Sequence, residues 1–264
     1  MPFITLLTDL GYNDASVAKV ESILMQQLPG MPLIGITHNV QPFYLPQAAY
    51  LLASAGVDMP QGTFHIVLYD LYYNDAPQLI YSLINGQHYL VPDNGILPLA
   101  FPQYDGNAWL CYEHGDNGNL ASWVRTAAAT VQQLSQGSPA DAGLKPHTIQ
   151  GVAMGSKPLV NGNEIECHVI HIDRFENVVL NLTKTEFEEA AKGRSFSIQL
   201  LRDDMITSIS SHYNDVKPGE KLCRFNSAGY LEIAINKGNA AGLFGFRVRQ
   251  EKQLLYNTIK ISFE

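Results

Sequence analysis

Four clusters of acidic, amide and aromatic side chains each follow an apolar run that predicts a β-strand. These residue types suit a nucleoside, because an aromatic ring stacks on the base, amides bind its edge and carboxylates accept hydrogen bonds from the ribose hydroxyls. The clusters are Thr8-Asp9 to Asp14, Thr37-His38-Asn39 with Phe43, Asp70 to Asp75, and Asp173-Arg174-Phe175-Glu176-Asn177. We therefore expect a nucleoside-binding site at the ends of these strands.

The first cluster lies between a predicted buried strand, residues 3–8, and a predicted helix whose apolar residues recur at spacings of three and four. The carboxyl ends of strands form the edge at which open α/β sheets bind ligands. Asp9 and Asp14 are therefore candidate ligands of a ribose diol, and Gly11 lets the backbone pass close to it. Asp14 could equally be the N-cap of the helix, and the sequence leaves both roles open.

Sequence motifs of several other chemistries do not occur in this chain. Without a Gly-x-x-x-x-Gly-Lys-Ser/Thr or Gly-x-Gly-x-x-Gly motif, ordinary mononucleotide and dinucleotide folds lose support. Histidine pairs with metal-ligand spacing and a Gly-x-Ser-x-Gly elbow do not occur either, so we expect neither a bound metal nor a serine hydrolase. His65 lies within an apolar run and is interpreted as a core histidine, whereas His38 is either a ligand or a residue that orients its turn.

The composition excludes several kinds of partner. The 264 residues carry a formal charge of −8 and a pI near 5.4, which argues against a nucleic-acid backbone or an anionic membrane. Cys111, Cys167 and Cys223 are too far apart for a metal knuckle, and they indicate a reducing, cytoplasmic location. No apolar stretch is long enough to span a bilayer, and no basic region precedes the first apolar run. We expect a soluble protein that is not exported.

Strands and helices alternate in the first part of the chain. This order predicts a parallel sheet with right-handed crossovers and helices on both faces. A hairpin follows around Asn85-Gly86, a strong two-residue turn signal, and it leads into the tight loop Pro92-Asp93-Asn94-Gly95. The predicted strands are residues 3–8, 32–37, 63–70, 79–84 and 88–91, and helices are predicted near residues 17–28, 45–55 and 123–134.

The second part of the chain has a different pattern. Residues 138–162 form a connection with Pro and Gly, and we place the boundary there, with an α/β domain at 1–155 and a second domain at 156–264. Short alternating segments predict strands at residues 165–172, 178–182, 195–200, 222–225, 230–235, 247–249 and 254–261. Only residues 184–191, capped by Thr183, predict a helix. The second domain is therefore expected to be a small antiparallel β-barrel or sandwich.

Six short motifs run along the chain through both expected domains. They are residues 8–18, Ile36-Thr37-His38 with Pro42-Phe43, Pro60-Gln61-Gly62-Thr63, Pro92-Asp93-Asn94-Gly95, Ile172-Asp173-Arg174-Phe175-Glu176-Asn177 and Asn226-Ser227-Ala228-Gly229. In order and spacing they resemble the S-adenosylmethionine (SAM) hydrolase (adenosine-forming) family, which includes the 5′-fluoro-5′-deoxyadenosine synthases and chlorinases. The resemblance covers nearly the whole chain.

The resemblance implies an α/β domain followed by a β-barrel, assembled as a homotrimer with sites shared between subunits. It also implies an adenosyl substrate, with no cofactor. Asp9 would hold the ribose hydroxyls with Asp14 nearby, and Phe43 would stand where halogenating relatives place a tryptophan. Asp173, Phe175, Asn177, Ser227 and Ala240 would contact the amino-acid part and the base, and Asn94 and Ser122 are further candidate binding residues.

Family hydrolases are expected to activate water with an Asp-Arg-His set, and only its aspartate has a counterpart here, Asp70. The loop 71–77 has no arginine, and Ser122 lies where the histidine is expected, with Arg125 as a possible substitute. Tyr72, Tyr73 and Asn74 are candidates to hold the water or simply to fill the space.

The expected reaction is hydrolysis of SAM to adenosine and L-methionine by attack at C5′, where the sulfonium is already a good leaving group. The alternatives are a protein that binds the nucleoside without turnover, or a different nucleophile or adenosyl substrate.

Overall fold

The computed structural model describes residues 3–113, 119–149, 157–201, 204–248 and 258–264. The chain divides into two compact units, Met1–Ala153 and Met154–Glu264. The boundary expected between residues 155 and 156 lies outside the described residues. Among the helices of the described ranges, none has the length and apolar character needed to cross a bilayer.

The N-terminal unit is a mixed sheet with helices on both faces. Its elements are β1 (Ile4–Thr8), α1 (Ser16–Gln27), β2 (Leu33–Thr37), α2 (Leu45–Gly56), β3 (Phe64–Leu68), β4 (Gln78–Ile84), β5 (Gln87–Pro92), α3 (Ile96–Ala100), β6 (Asn107–Glu113), α4 (Leu120–Leu134) and β7 (Lys145–Thr148). The strand order is β2-β1-β3-β5-β4-β6-β7. The first four strands in this order are parallel, whereas β4, β6 and β7 each run antiparallel to their neighbours.

Two apolar cores lie on opposite faces of this sheet, so the prediction of helices on both faces is confirmed. Val20 and Leu24 of α1 pack with Trp123 of α4 on one face, and α2 and α3 pack on the other. The Asn85-Gly86 turn is also confirmed, with both residues at positive φ (51° and 77°), as a type I′ turn requires. This turn reverses the chain, and it explains why the sheet is not parallel throughout.

The C-terminal unit is a barrel-like antiparallel sheet. Its elements are β8 (Leu159–Asn161), β9 (Glu164–Ile172), β10 (Val178–Thr183), α5 (Lys184–Ala191), β11 (Phe196–Leu201), β12 (Asp204–Ile206), β13 (Lys221–Phe225), β14 (Tyr230–Ile235), α6 (Ala240–Phe244) and β15 (Thr258–Phe263). The order is β12-β11-β15-β9-β10-β14-β13, with β8 paired to β9. Ile209, just after β12, bridges to Cys223 of β13, so the two ends of the sheet nearly meet.

Some local expectations for the C-terminal unit are confirmed and others are wrong. Helix α5 begins as predicted, since Thr183 and Glu186 form a capping box. The strand expected at residues 247–249 is wrong at Arg247 and Val248, which lie outside any strand, and Arg249 is not among the described residues. Helix α6 was not expected, and β7 and β8 lie within the connection 138–162.

Candidate active site

Asp9 and Asp70 meet at the carboxyl ends of the neighbouring strands β1 and β3. The backbone N–H of Asp70 donates a hydrogen bond to Oδ2 of Asp9 at 3.0 Å. On the other side, Nδ2 of Asn94 donates to the carbonyl oxygen of Tyr69 at 3.1 Å. Asp70 has a φ of +45°, a backbone conformation that residues other than Gly, Asn and Asp rarely adopt. Asp9 and Asn94 therefore both hold the peptide bond between Tyr69 and Asp70, which leads into the strained Asp70.

Burial sets the electrostatics of this carboxylate pair. Burial raises the pKa of Asp70 above its ordinary value of 3.8. It also raises the pKa of Asp9, and the charge of Asp70 adds to this effect, although hydrogen bonds from backbone N–H groups oppose it. A carboxylate with a raised pKa binds a proton more strongly, which favours Asp70 as an acceptor of a proton from water. The arrangement can therefore position and deprotonate a nucleophile.

His38 is buried behind this edge and orients its own turn. Its Nδ1 lies 3.1 Å from Oγ1 of Thr8, and its backbone carbonyl accepts a hydrogen bond from Gly11 at 2.7 Å. The ring of Tyr12 stands edge-on to it, with centroids 5.1 Å apart. Burial lowers the pKa of His38 below 6.5, so the ring is neutral at pH 7. Of its two expected roles, these contacts favour the orienting one.

Gly35 makes room for this histidine, which leads to a prediction. A Cβ at position 35 would lie 2.9 Å from Nε2 of His38. We expect Gly35→Ala to reduce the free energy of unfolding by about 1–3 kcal/mol, measured by urea denaturation, because overpacking forces the ring to move. In a His38→Ala background the same substitution should cost much less. An equal cost in both backgrounds would contradict a clash with the ring.

Three candidate binding residues are engaged in local turns and caps. Oδ1 of Asp14 accepts a hydrogen bond from the backbone of Ser16 at 2.7 Å, but the N-cap of α1 is Ala15, so the structure does not assign the N-cap role, one of the two left open, to Asp14. Asn74 accepts a hydrogen bond from the backbone of Ala76. Ser122 forms a capping box with Asn119 at the start of α4. These contacts shape the loops around the site, and they occupy part of each side chain's hydrogen-bonding capacity.

Other candidates of the N-terminal unit present exposed side chains. The ring of Phe43 is 86% exposed at a φ of 59°, and that of Tyr72 is 56% exposed. The hydroxyl of Tyr73 accepts a hydrogen bond from the backbone of Gln78 and so closes the loop after Asp70. Arg125 borders a cavity between α4 and the strands β6 and β7, beside Leu110 and Lys145.

His65 is a core histidine, as predicted. Its Nδ1 lies 2.7 Å from Oγ1 of Thr5, and its Nε2 lies 3.0 Å from Oε1 of Gln87. The ring stacks on Tyr89 with centroids 4.7 Å apart, and burial lowers its pKa to about 4. A neutral imidazole with both nitrogens bonded inside the core is a structural group.

In the C-terminal unit, Asp173 organises the turn between β9 and β10. Its Oδ1 accepts hydrogen bonds from the backbone N–H groups of Phe175 and Asn177, and its Oδ2 accepts one from Nδ2 of Asn177. Asn177 is buried, whereas the ring of Phe175 is 75% exposed. The carboxylate thus builds the turn, and the turn presents the aromatic ring.

Ala240 lies beside this turn, but Ser227 does not. The backbone N–H of Ala241 donates to the carbonyl of Glu176, which places the start of α6 against the turn. Ser227 lies in the loop before β14, where Tyr230 pairs with Thr183 at the other end of β10. One copy of this unit therefore separates Ser227 from Ala240 by the length of β14, and the structure does not bring them together.

One contact near the site was not found from the sequence. Nε2 of His147 lies 2.7 Å from Oδ2 of the buried Asp93, so that β7 is tied to the loop that carries Asn94. No sequence signal joins residues so far apart, because their meeting depends on sheet order. Within the described ranges, no three histidine, cysteine or acidic residues cluster in a way that could hold a metal ion.

Known proteins are similar to this chain over most of its length. An (R)-S-adenosyl-L-methionine hydrolase of Salinispora tropica is 30% identical over 92% of this chain and 94% of its own length. One from Thermus thermophilus is 25% identical over 96% and 99%, and a fluorinase of Actinoplanes is 22% identical over 89% and 91%.

The fold is shared with solved structures as well. A conserved protein of Thermotoga maritima superposes with a TM-score of 0.81 at 24% identity, covering 98% of this chain and 100% of that chain. The family model for the SAM hydroxide adenosyltransferase N-terminal domain matches residues 4–137, and the model for the C-terminal domain matches residues 167–253. These matches cover most of both units, and the chain therefore belongs to the SAM hydroxide adenosyltransferase family.

Proposed function

We propose that this protein hydrolyses SAM to adenosine and L-methionine. The observation that carries the proposal is the near full-length similarity to proteins named (R)-S-adenosyl-L-methionine hydrolase, at 30% and 25% identity. The placement of Asp70 supports it, because Asp9 and Asn94 hold the backbone that leads into Asp70 at the ligand edge of the sheet.

In the proposed reaction, the oxygen of water forms a bond to C5′ while the C5′–S bond breaks. Methionine leaves as a neutral thioether with the electron pair of that bond, and the proton of the attacking water passes to Asp70. Because the sulfonium leaves readily, positioning and partial desolvation of the water supply much of the rate. This lowers the need for the arginine and histidine of the family's water-activating set, which have no counterparts in the expected positions of this chain.

Asp9 has the capacity for two roles in this proposal. A carboxylate accepts about four hydrogen bonds, so Asp9 can hold the backbone of Asp70 and still accept from a ribose hydroxyl. The exposed rings of Phe43 and Phe175 would stack on the nucleoside, with Tyr72, Asn94, Asn177 and Ala240 around it. Ser227 is left out of this set because it lies at the far end of β14.

Assembly and location are further parts of the proposal. We place the site between subunits of a homotrimer, as the resemblance implies. Sedimentation velocity measures the oligomeric state, and a monomer that binds ligand tightly would contradict this placement. Three free cysteines support a reducing, cytoplasmic location.

The test separates the two epimers of SAM at the sulfonium. We expect release of adenosine and methionine from the R epimer, the configuration in the relatives' name, measured by chromatography over hours. Thermal unfolding is followed in parallel, because a ligand that binds the folded state raises the melting temperature. A raised melting temperature with release only at the uncatalysed rate would indicate a binding protein without turnover. No shift with SAM or adenosine at millimolar concentration would overturn both functions.

A further inference from the structure

Positive charge is scarce in the N-terminal unit. Residues 1–153 contain eleven Asp and Glu residues but only three Lys and Arg residues, namely Lys19, Arg125 and Lys145. The C-terminal residues 154–264 contain equal numbers of acidic and basic residues, so the whole net charge of −8 belongs to the N-terminal unit. On such an acidic unit, the positions of the three cations indicate where an anionic ligand could bind.

Two of these three cations border one cavity. The cavity has a volume of about 470 Å³ and lies between helix α4, strands β6 and β7, and residues 142–144. Arg125 lines it from α4 and Lys145 from β7, and Thr126 and Gln133 are among the other lining residues. Leu110 contributes apolar surface. This volume is within the range of about 300–1,000 Å³ that small-molecule sites occupy.

Both cations are available to a ligand. Across the described ranges, neither the Arg125 nor the Lys145 side chain makes an ion pair or hydrogen bond within the protein. Two uncompensated cations on one concave surface raise the local potential and attract anions despite the negative charge of the unit. The thiol of Cys111 also lines the cavity, and burial raises its pKa to about 12, so it adds no negative charge at pH 7.

We propose that this cavity binds a small organic phosphate monoester, with its phosphate between Arg125 and Lys145 and its apolar part against Leu110. A guanidinium and an ammonium suit a phosphate because the guanidinium offers paired donors to two oxygens and the ammonium offers a compact charge to the third. Thr126 and Gln133 add neutral donors. This inference assigns Arg125 to anion binding and not to the water activation for which the sequence made it a candidate. It does not use Asp70 and does not depend on the proposed reaction.

The chain contains a built-in reporter for this cavity. Its only two tryptophans are Trp109 on β6 and Trp123 on α4, two of the elements that border the cavity. Titration with phenyl phosphate should change tryptophan emission in a saturable way. Inorganic phosphate, which lacks the apolar part, should bind more weakly.

Variants test which positive charges are responsible for binding phenyl phosphate. In the double variant Arg125→Gln, Lys145→Gln, the dissociation constant for phenyl phosphate should rise at least about tenfold, the loss expected for removing charge-assisted hydrogen bonds. The control is Lys19→Gln, which removes the third cation of the unit and should leave the constant unchanged. Melting curves confirm that each variant is folded.

Four results would overturn the inference. The first is no saturable change of tryptophan emission at millimolar phenyl phosphate, and the second is an unchanged dissociation constant in the double variant. The third is an equal loss of affinity in Lys19→Gln. The fourth is tighter binding of malonate than of phenyl phosphate, which would assign the cavity to a dicarboxylate. Turnover of SAM plays no part in this experiment, so its outcome is independent of the proposed function.

Discussion

Replacing Asp70 with Asn should lower the rate of adenosine release from SAM by a factor of about 10² to 10⁴, the loss expected for one general base. The amide keeps the size of the carboxylate but cannot take the proton of water. Asn also tolerates the φ of +45° that Asp70 adopts, so the backbone held by Asp9 and Asn94 should stay in place. Single-turnover kinetics and the binding constant for adenosine are the measurements.

The binding measurement decides between two roles of Asp70. If Asp70 handles water, affinity for adenosine changes little in Asp70→Asn. If instead Asp70 holds the ribose, affinity falls by about 1–3 kcal/mol, as expected for a hydrogen bond to a charged group. Asp70→Gly is the matched control for backbone strain, because glycine adopts the same φ without a side chain. A variant Asp70→Asn with unchanged turnover would contradict the proposed mechanism.

Acid should destabilise the N-terminal unit through His65, and this is the largest effect on stability that we expect. The folded-state pKa of His65 is about 4, below its ordinary value of 6.5, because the ring is buried. Between pH 6.5 and pH 4 the unfolded state binds more protons, so stability falls as the pH falls through this range. The shift corresponds to about 3 kcal/mol, fully present above pH 6.5 and lost below pH 4.

Urea denaturation between pH 7 and pH 4 measures this effect. The variant His65→Gln has no titrating ring, so its free energy of unfolding should depend much less on pH, whatever its absolute stability. His88 is the matched control residue for this experiment, because burial also lowers the pKa of His88 although it is less buried than His65. If His65→Gln and the wild type show the same slope, His65 does not carry the acid sensitivity.

Features that depend on neighbouring residues could be predicted from the sequence. The Asn85-Gly86 turn and the Thr183 cap of α5 are examples, because a few adjacent residues satisfy their own hydrogen bonds. The strand–helix alternation likewise predicted that Asp9 and Asp70 each follow a strand of the sheet. Their hydrogen bond and the positive φ of Asp70 could not be predicted, because both depend on the packing of β1 against β3.

Features that depend on sheet order could not be predicted from the sequence. Strands β6 and β7 pair with β4 and with each other, which no local pattern indicates. Ser227 and Ala240 are close in sequence, yet the register of β14 places them at opposite ends of the strand. Asp173 shows a third limit: an aspartate that builds a turn and one that binds a ligand look alike in sequence.

The position of β15 has a consequence for how the C-terminal unit folds during synthesis. β15 lies between β11 and β9, and Ile261 pairs with Ile165, so the middle of the sheet is completed by the strand that is made last among the described ones. In the N-terminal unit, β1, β2 and β3 all come from the first 68 residues. A ribosome adds about 5–20 residues per second, so for several seconds β9 and β11 are present without their common neighbour. During that time each has an unpaired edge that other chains can join, and the yield of folded protein should depend on temperature and expression rate more through this unit than through the first.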